Sequence, residues 1–105
     1  MSIPGGGWIR PKRIIALKLR DDLRCIYCDA GAWTIALTID HLRSRKQGGD
    51  NTWRNLVTAC RSCNSFRKER TLRAFAQVKH LDFNRLYKRI RRQVGRDEST
   101  WLRNA

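Results

Sequence analysis

Two cysteine pairs of identical spacing, Cys25-Ile26-Tyr27-Cys28 and Cys60-Arg61-Ser62-Cys63, enclose an Asp40-His41 dipeptide, and Asn64 follows the last thiol directly. A C-x-x-C pair places two thiolates within reach of one ion, and two such pairs complete the tetrahedral set that holds zinc. Four thiolates leave that ion no open position. Cys25, Cys28, Cys60 and Cys63 therefore predict a structural zinc and not a catalytic one. The alternative is two disulfides. Met1 to Trp8 carry no apolar signal core, and a chain that is not exported keeps its thiols reduced. The expectation is a metal site in a cytoplasmic protein.

The residues between the pairs offer a second chemistry. Hydrolysis of a phosphodiester needs a base for water, a cation for the developing charge and groups that hold the phosphate in line. An imidazole titrates near neutrality, so His41 suits the general base. Asp40 is a hard oxygen ligand of the kind that Mg²⁺ or Mn²⁺ takes. Asn64, entering from a helix start, offers a second oxygen, with a role as no more than that helix's N-cap as the lesser alternative. Asn55 can hydrogen-bond the backbone near His41 and fix the intervening loop. Outside this frame an Asp-His pair would be an ordinary polar strand end.

The charge balance agrees with a polyanionic partner. Among 105 residues there are 23 Lys and Arg against 9 Asp and Glu, a net charge of +14. Nucleic acid is the usual partner of so basic a chain, ahead of an anionic membrane surface or a ribosome-like scaffold. No apolar run approaches the ~20 residues that cross a bilayer. At this length one domain is expected, with a modest core that a metal staple would support.

The elements that must position these residues follow from local patterns. Residues 1–10, with Gly5-Gly6-Gly7, read as a mobile tail. Pro11 opens a helix over roughly 11–23, with Ala16, Ile15, Leu19 and Leu23 on one face. Trp33, Ile35, Leu37 and Ile39 alternate through a half-buried strand with Asp40 and His41 at its end. Strict alternation would send that pair to opposite faces, a rule that strand ends relax. A basic loop follows, with Arg43, Arg45 and Lys46, and Gly48-Gly49 permit a sharp return. Asn55 to Thr58 form a short partner strand. A helix should then run from about Asn64 to Val78, capped by Asn64 or Ser65. A last basic helix spans 82–95, with Asp82 as N-cap, Gly95 as stop and an apolar stripe of Phe83, Leu86, Tyr87, Ile90 and Val94. Residues 96–105 read as a tail.

The order Cys-x-x-Cys, Asp40-His41, Gly48-Gly49, Asn55-Leu56, Cys60-Arg61-Ser62-Cys63-Asn64 resembles the HNH endonucleases, in the zinc-stapled form found among bacteriophage and McrA-like members. The resemblance covers residues 25 to about 68. It implies an α+β fold: a small zinc-stapled ββα-metal (His-Me finger) domain with flanking N- and C-terminal helices, over 11–95 with a core of 25–78. It further implies a metal-dependent DNA endonuclease. His41 would be the general base, Asp40 and Asn64 would hold a catalytic Mg²⁺, Mn²⁺ or other divalent ion, and Asn55 would orient the loop. Asn64 in place of the final histidine makes this an H-N-N variant. Products would carry 5′-phosphate and 3′-hydroxyl ends. Two positions depart from the common pattern. Arg43-Ser44-Arg45 stand where many members have a proline, and Arg67 with Lys68 stand near the usual lysine.

Arg43, Arg45, Lys46, Arg67 and Lys68 are the expected phosphate contacts, with Trp53 the tryptophan best placed to meet DNA. His80, outside the motif, reads as an ordinary exposed histidine. Two rival readings stand beside the nuclease. One is a non-catalytic zinc module that binds nucleic acid. The other is an interaction protein docking through its arginine helices, and similar small phage proteins work beside the DNA-packaging terminase. Sequence specificity, oligomeric state and nicking against double-strand cutting are not encoded in any motif here.

Overall fold

The computed structural model describes residues 9–32, 35–68 and 70–95. Among them are four α-helices and one two-stranded sheet: α1 (Pro11–Arg20), β1 (Leu37–His41), β2 (Leu56–Cys60), α2 (Arg61–Arg67), α3 (Leu72–Val78) and α4 (Phe83–Val94). The strands are antiparallel, with Leu37 opposite Cys60 and His41 opposite Leu56. The order β1, β2, α2 is the ββα unit, and it bears Asp40, His41, Cys60, Cys63 and Asn64.

All five residues of β2 are buried, because α1, α2 and α4 all pack around this strand. Val57, Ala59, Leu42 and Tyr27 meet Leu72, Phe75, Ala76, Leu86, Ile90 and Val94 in the core. The Tyr27 and Phe75 ring centroids lie 4.9 Å apart. Helix α4 runs between the two residues whose types marked its ends. The Asp82 carboxylate accepts from the amides of Asn84 and Arg85, and Gly95 stops the helix with φ 90°. Arg89 on α4 donates to the carbonyl of Ile26, tying that helix to the first cysteine knuckle.

Three expectations change. Helix α1 stops at Arg20, and its predicted inner face is its outer one: Ile15 is 58% and Leu19 60% exposed, while Leu17 is buried. The cause lies at the end of the helix. Arg20 donates to the carbonyls of Trp53 and Leu56. Asp21, just beyond, accepts the amide of Thr58 at 2.8 Å. These bonds turn the Leu17 side of α1 onto β2. Second, the strand begins at Leu37 and extends through His41, so Asp40 and His41 lie within the ladder. Third, the long helix over 64–78 is two helices broken at Lys68, which has φ 45°. Thr71 caps α3 through the amide of Ala74. The first of the two starts earlier than expected, because Cys60 is its N-cap and its sulfur accepts the amide of Cys63. Asn64 and Ser65 are thus helix-interior residues and not caps. Trp8, Trp33, Trp101 and the two predicted tails (but for Ile9 and Arg10) lie outside the described residues.

Candidate metal centre and active site

The cysteine knuckles come together because β2 leads directly from the strand ladder into α2. The four sulfurs lie within 4.8 Å of one another. The Cys28 and Cys60 sulfurs are 3.8 Å apart, which matches the edge, about 3.8 Å, of a tetrahedron with zinc–sulfur bonds near 2.3 Å. In each pair the first sulfur accepts backbone amides: Tyr27 and Cys28 donate to Cys25, and Cys63 donates to Cys60. Burial pushes the Cys25 thiol up to about 11 and raises Cys63 further. At Cys60 burial also acts upward, but the amide of Cys63 and the neighbouring thiols outweigh it and the value falls. Four soft donors at tetrahedral spacing are positioned to bind a metal ion and suit a structural zinc.

The pleat of β1 separates Asp40 from His41. Asp40 points inward and is 7% exposed. Its Oδ2 accepts the Tyr27 hydroxyl at 2.5 Å and Arg67 Nη1 at 3.2 Å. Arg67 is 2% exposed. It also donates to the carbonyls of His41 at 3.1 Å, Leu42 at 2.5 Å and Arg70 at 3.2 Å. This geometry corrects the phosphate contact expected of Arg67, since its guanidinium is spent inside the protein. Burial pushes the Asp40 carboxyl upward from its ordinary value, against the opposing pull of Arg67 and the Tyr27 hydroxyl. Burial and then the charge of Asp40 push the Tyr27 hydroxyl well above the usual phenol value, so it remains a donor. For Arg67 burial works against the charge, but Tyr27 and Asp40 more than offset it, and its value rises.

Asn64, in the first turns of α2, lies across from the same strand. Its side-chain amide donates to the carbonyl of Ile39, next to Asp40, at 3.4 Å. Asp40 Oδ1 and Asn64 Oδ1 accept no hydrogen bond among the described residues. Both are oxygens of the hard kind that divalent cations take, and Asp40 Oδ2 already faces the Arg67 guanidinium.

His41 is half-buried at the strand end, and its Nε2 lies 2.6 Å from Asn51 Oδ1. The loop that supplies Asn51 is pinned by Asn55. That side chain accepts the amide of Arg43 at 2.8 Å and donates to the carbonyls of Arg43 and Asp50, at 3.1 and 2.7 Å. The return is tight at Gly49, where a Cβ would stand 1.8 Å from the Arg43 carbonyl oxygen. Ser44 and Gln47 close a reciprocal cap around the short 3₁₀ turn of residues 45–47.

Arg45, Lys46 and Lys68 are exposed, and Arg43 is half-buried with Nη2 on the Gln47 carbonyl. Trp53 is partly exposed beneath the Arg20 guanidinium, whose carbon is 4.8 Å from the ring centre. His80 is exposed. A separate basic cavity of about 610 Å³ on α4 is lined by Lys88, Arg91, Arg92 and Gly95. Sequence reasoning missed Tyr27, Asn51 and the internal role of Arg67. One signal was available for the last: alternation puts Asp40 opposite His41, and an inward acid needs a cation from the next packed element.

The four-cysteine cluster and the ββα unit beside it fit a zinc-stapled HNH domain. The sequence model of the HNH endonuclease family matches residues 25–70, somewhat under half of the chain, so this segment is similar to HNH domains. No curated protein and no solved structure matches the chain significantly. Among the described residues no helix is long and apolar enough to cross a membrane.

Proposed function

We propose that the chain is a metal-dependent DNA endonuclease. His41 takes a proton from water, the resulting hydroxide attacks phosphorus, the bond to the 3′ oxygen breaks, and that oxygen takes a proton from solvent water, leaving 5′-phosphate and 3′-hydroxyl ends. Asp40, through Oδ1, and Asn64 would hold an Mg²⁺ or Mn²⁺ ion. When bound, such an ion offsets charge on the phosphate and the leaving oxygen. The Cys₄ cluster would hold the structural zinc. Arg43, Arg45, Lys46 and Lys68 would meet the DNA backbone, and Asn55 would keep the loop in register.

The observation that carries this reading is the half-exposed His41 ring at a strand end, with Asn64 across from the preceding residues inside the HNH segment. Plasmid nicking by the zinc-loaded protein in Mg²⁺ or Mn²⁺ tests it. Loss of at least a hundredfold in rate with His41→Ala supports the base, since general-base catalysis contributes about 10²–10⁴. Equal cleavage by both proteins refutes it.

One observation favours a second reading, a zinc-supported nucleic-acid-binding module without catalysis. The Arg67 guanidinium already neutralises Asp40, and a resident cation competes with a divalent one. DNA shifted in gels but uncut across a panel of divalent metals would decide for the module. The resemblance to small phage proteins alone carries the expectation of a phage origin and a partner in the packaging terminase. Co-purification with that complex checks it.

A further inference from the structure

Among the described residues the ring of His41 makes one side-chain hydrogen bond, to a residue outside the motif: Nε2 and Asn51 Oδ1 are 2.6 Å apart. No hydrogen bond reaches Nδ1 among the described residues. A neutral imidazole carries one proton, and the nitrogen that meets an acceptor keeps it. An amide oxygen at Nε2 therefore places the proton there and leaves the Nδ1 lone pair for water. We propose that Asn51 is the positioning residue for His41, fixing its tautomer and its ring orientation. The inference rests on the nuclease reading only for its catalytic consequence.

Asn51 is held where it is by its neighbours in the loop. The carbonyl of Asp50, one peptide before it, accepts from Asn55 Nδ2 at 2.7 Å. On the other side the amide and hydroxyl of Thr52 both donate to Asp50 Oδ1, at 3.1 and 2.7 Å. The Gly49 backbone lies too close to the Arg43 carbonyl for any side chain. The motif asparagine Asn55 thus reaches the imidazole through the Asp50 peptide and Asn51. Holding the acceptor in place beforehand spares the ring an orientation cost in each turnover.

The test is a nitrogen-correlation NMR spectrum of the zinc-loaded full chain at mildly alkaline pH, with the His41 ring distinguished from His80 by His80→Gln. Wild type should show Nε2 protonated and Nδ1 bare. Asn51→Leu should mix the two tautomers, whereas Asn51→Asp, which can only accept, should keep the wild-type form. In plasmid nicking, Asn51→Leu should lower kcat about 10–100-fold with little change in KM, a part of the ~10²–10⁴ that a general base supplies. Asn51→Asp should restore most of it. A wild-type ring protonated at Nδ1 overturns the proposal, and so does an Asn51→Leu protein with unchanged tautomer and kcat. Wild-type protein with the expected tautomers that cuts no DNA supports the Asn51 assignment and sinks the nuclease reading instead.

Discussion

Replacing Arg67 with methionine should be among the most damaging single changes in this protein outside the cysteines. The side chain is 2% exposed and donates to Asp40 Oδ2, the Tyr27 hydroxyl and the carbonyls of His41, Leu42 and Arg70. Methionine fills much of the volume but donates nothing. The stranded Asp40 carboxylate alone should cost about 3–5 kcal/mol, the penalty for removing one partner of a buried pair. Each buried carbonyl left without a donor adds about 1–3 kcal/mol, less whatever entering water recovers. A loss of at least ~4 kcal/mol is expected, out of the roughly 5–15 that a domain of this size possesses. At ~4–8 °C per kcal/mol, a loss of that size should lower Tm by about 16–32 °C. Urea melts of the zinc-loaded protein measure this directly. A double-mutant cycle assigns the cause: in an Asp40→Asn background the carboxamide no longer needs a counter-ion, so Arg67→Met should cost ~1–3 kcal/mol less than in wild type. Arg67→Lys should fall between, because an ammonium cannot span the carboxylate and two carbonyls as the planar fork does. A cost below ~1 kcal/mol for Arg67→Met, or no coupling to Asp40, would refute the internal role and return Arg67 to the surface as a phosphate contact.

Removing the staple should unfold the protein while removing the base should not. Cys60→Ser, or chelation of zinc, should abolish the cooperative melt followed by circular dichroism, given the ~10–16 kcal/mol that structural zinc contributes in small fingers. His41→Ala should retain that melt, and a folded Cys60→Ser protein without metal would count against the staple. Asn55→Ala removes three hydrogen bonds from the 43–50 loop. It should cost about 2–3 kcal/mol and expose the Arg43 amide to hydrogen exchange. Exchange as slow as in wild type would show that the loop closes without it.

The sequence alone determined what depends on near neighbours along the chain. A thiol pair with two residues between its members can hold one ion wherever it is placed, so the knuckles are legible from spacing. Helix α4 was legible for the same reason, since Asp82, the apolar stripe and Gly95 act within a turn or two. Asn55 could be read as the loop's brace because its partners, Arg43 and Asp50, lie in the loop it closes.

Tertiary structure decided which side of each element meets the others. The apolar stripe of α1 predicts an inner face, yet Arg20 and Asp21 bind β2 and turn Leu17 inward instead. The helix after Cys63 broke at Lys68, beyond the reach of its own propensities. Arg67 looked like one more surface cation in a basic chain until α2 folded beneath β1 and met the inward carboxylate of Asp40. Asn51 was indistinguishable from any turn asparagine until the loop returned to the strand end. Charge and spacing are properties of the chain, whereas burial is a property of the packing. A side chain's partners, and hence its chemistry, follow from the packing.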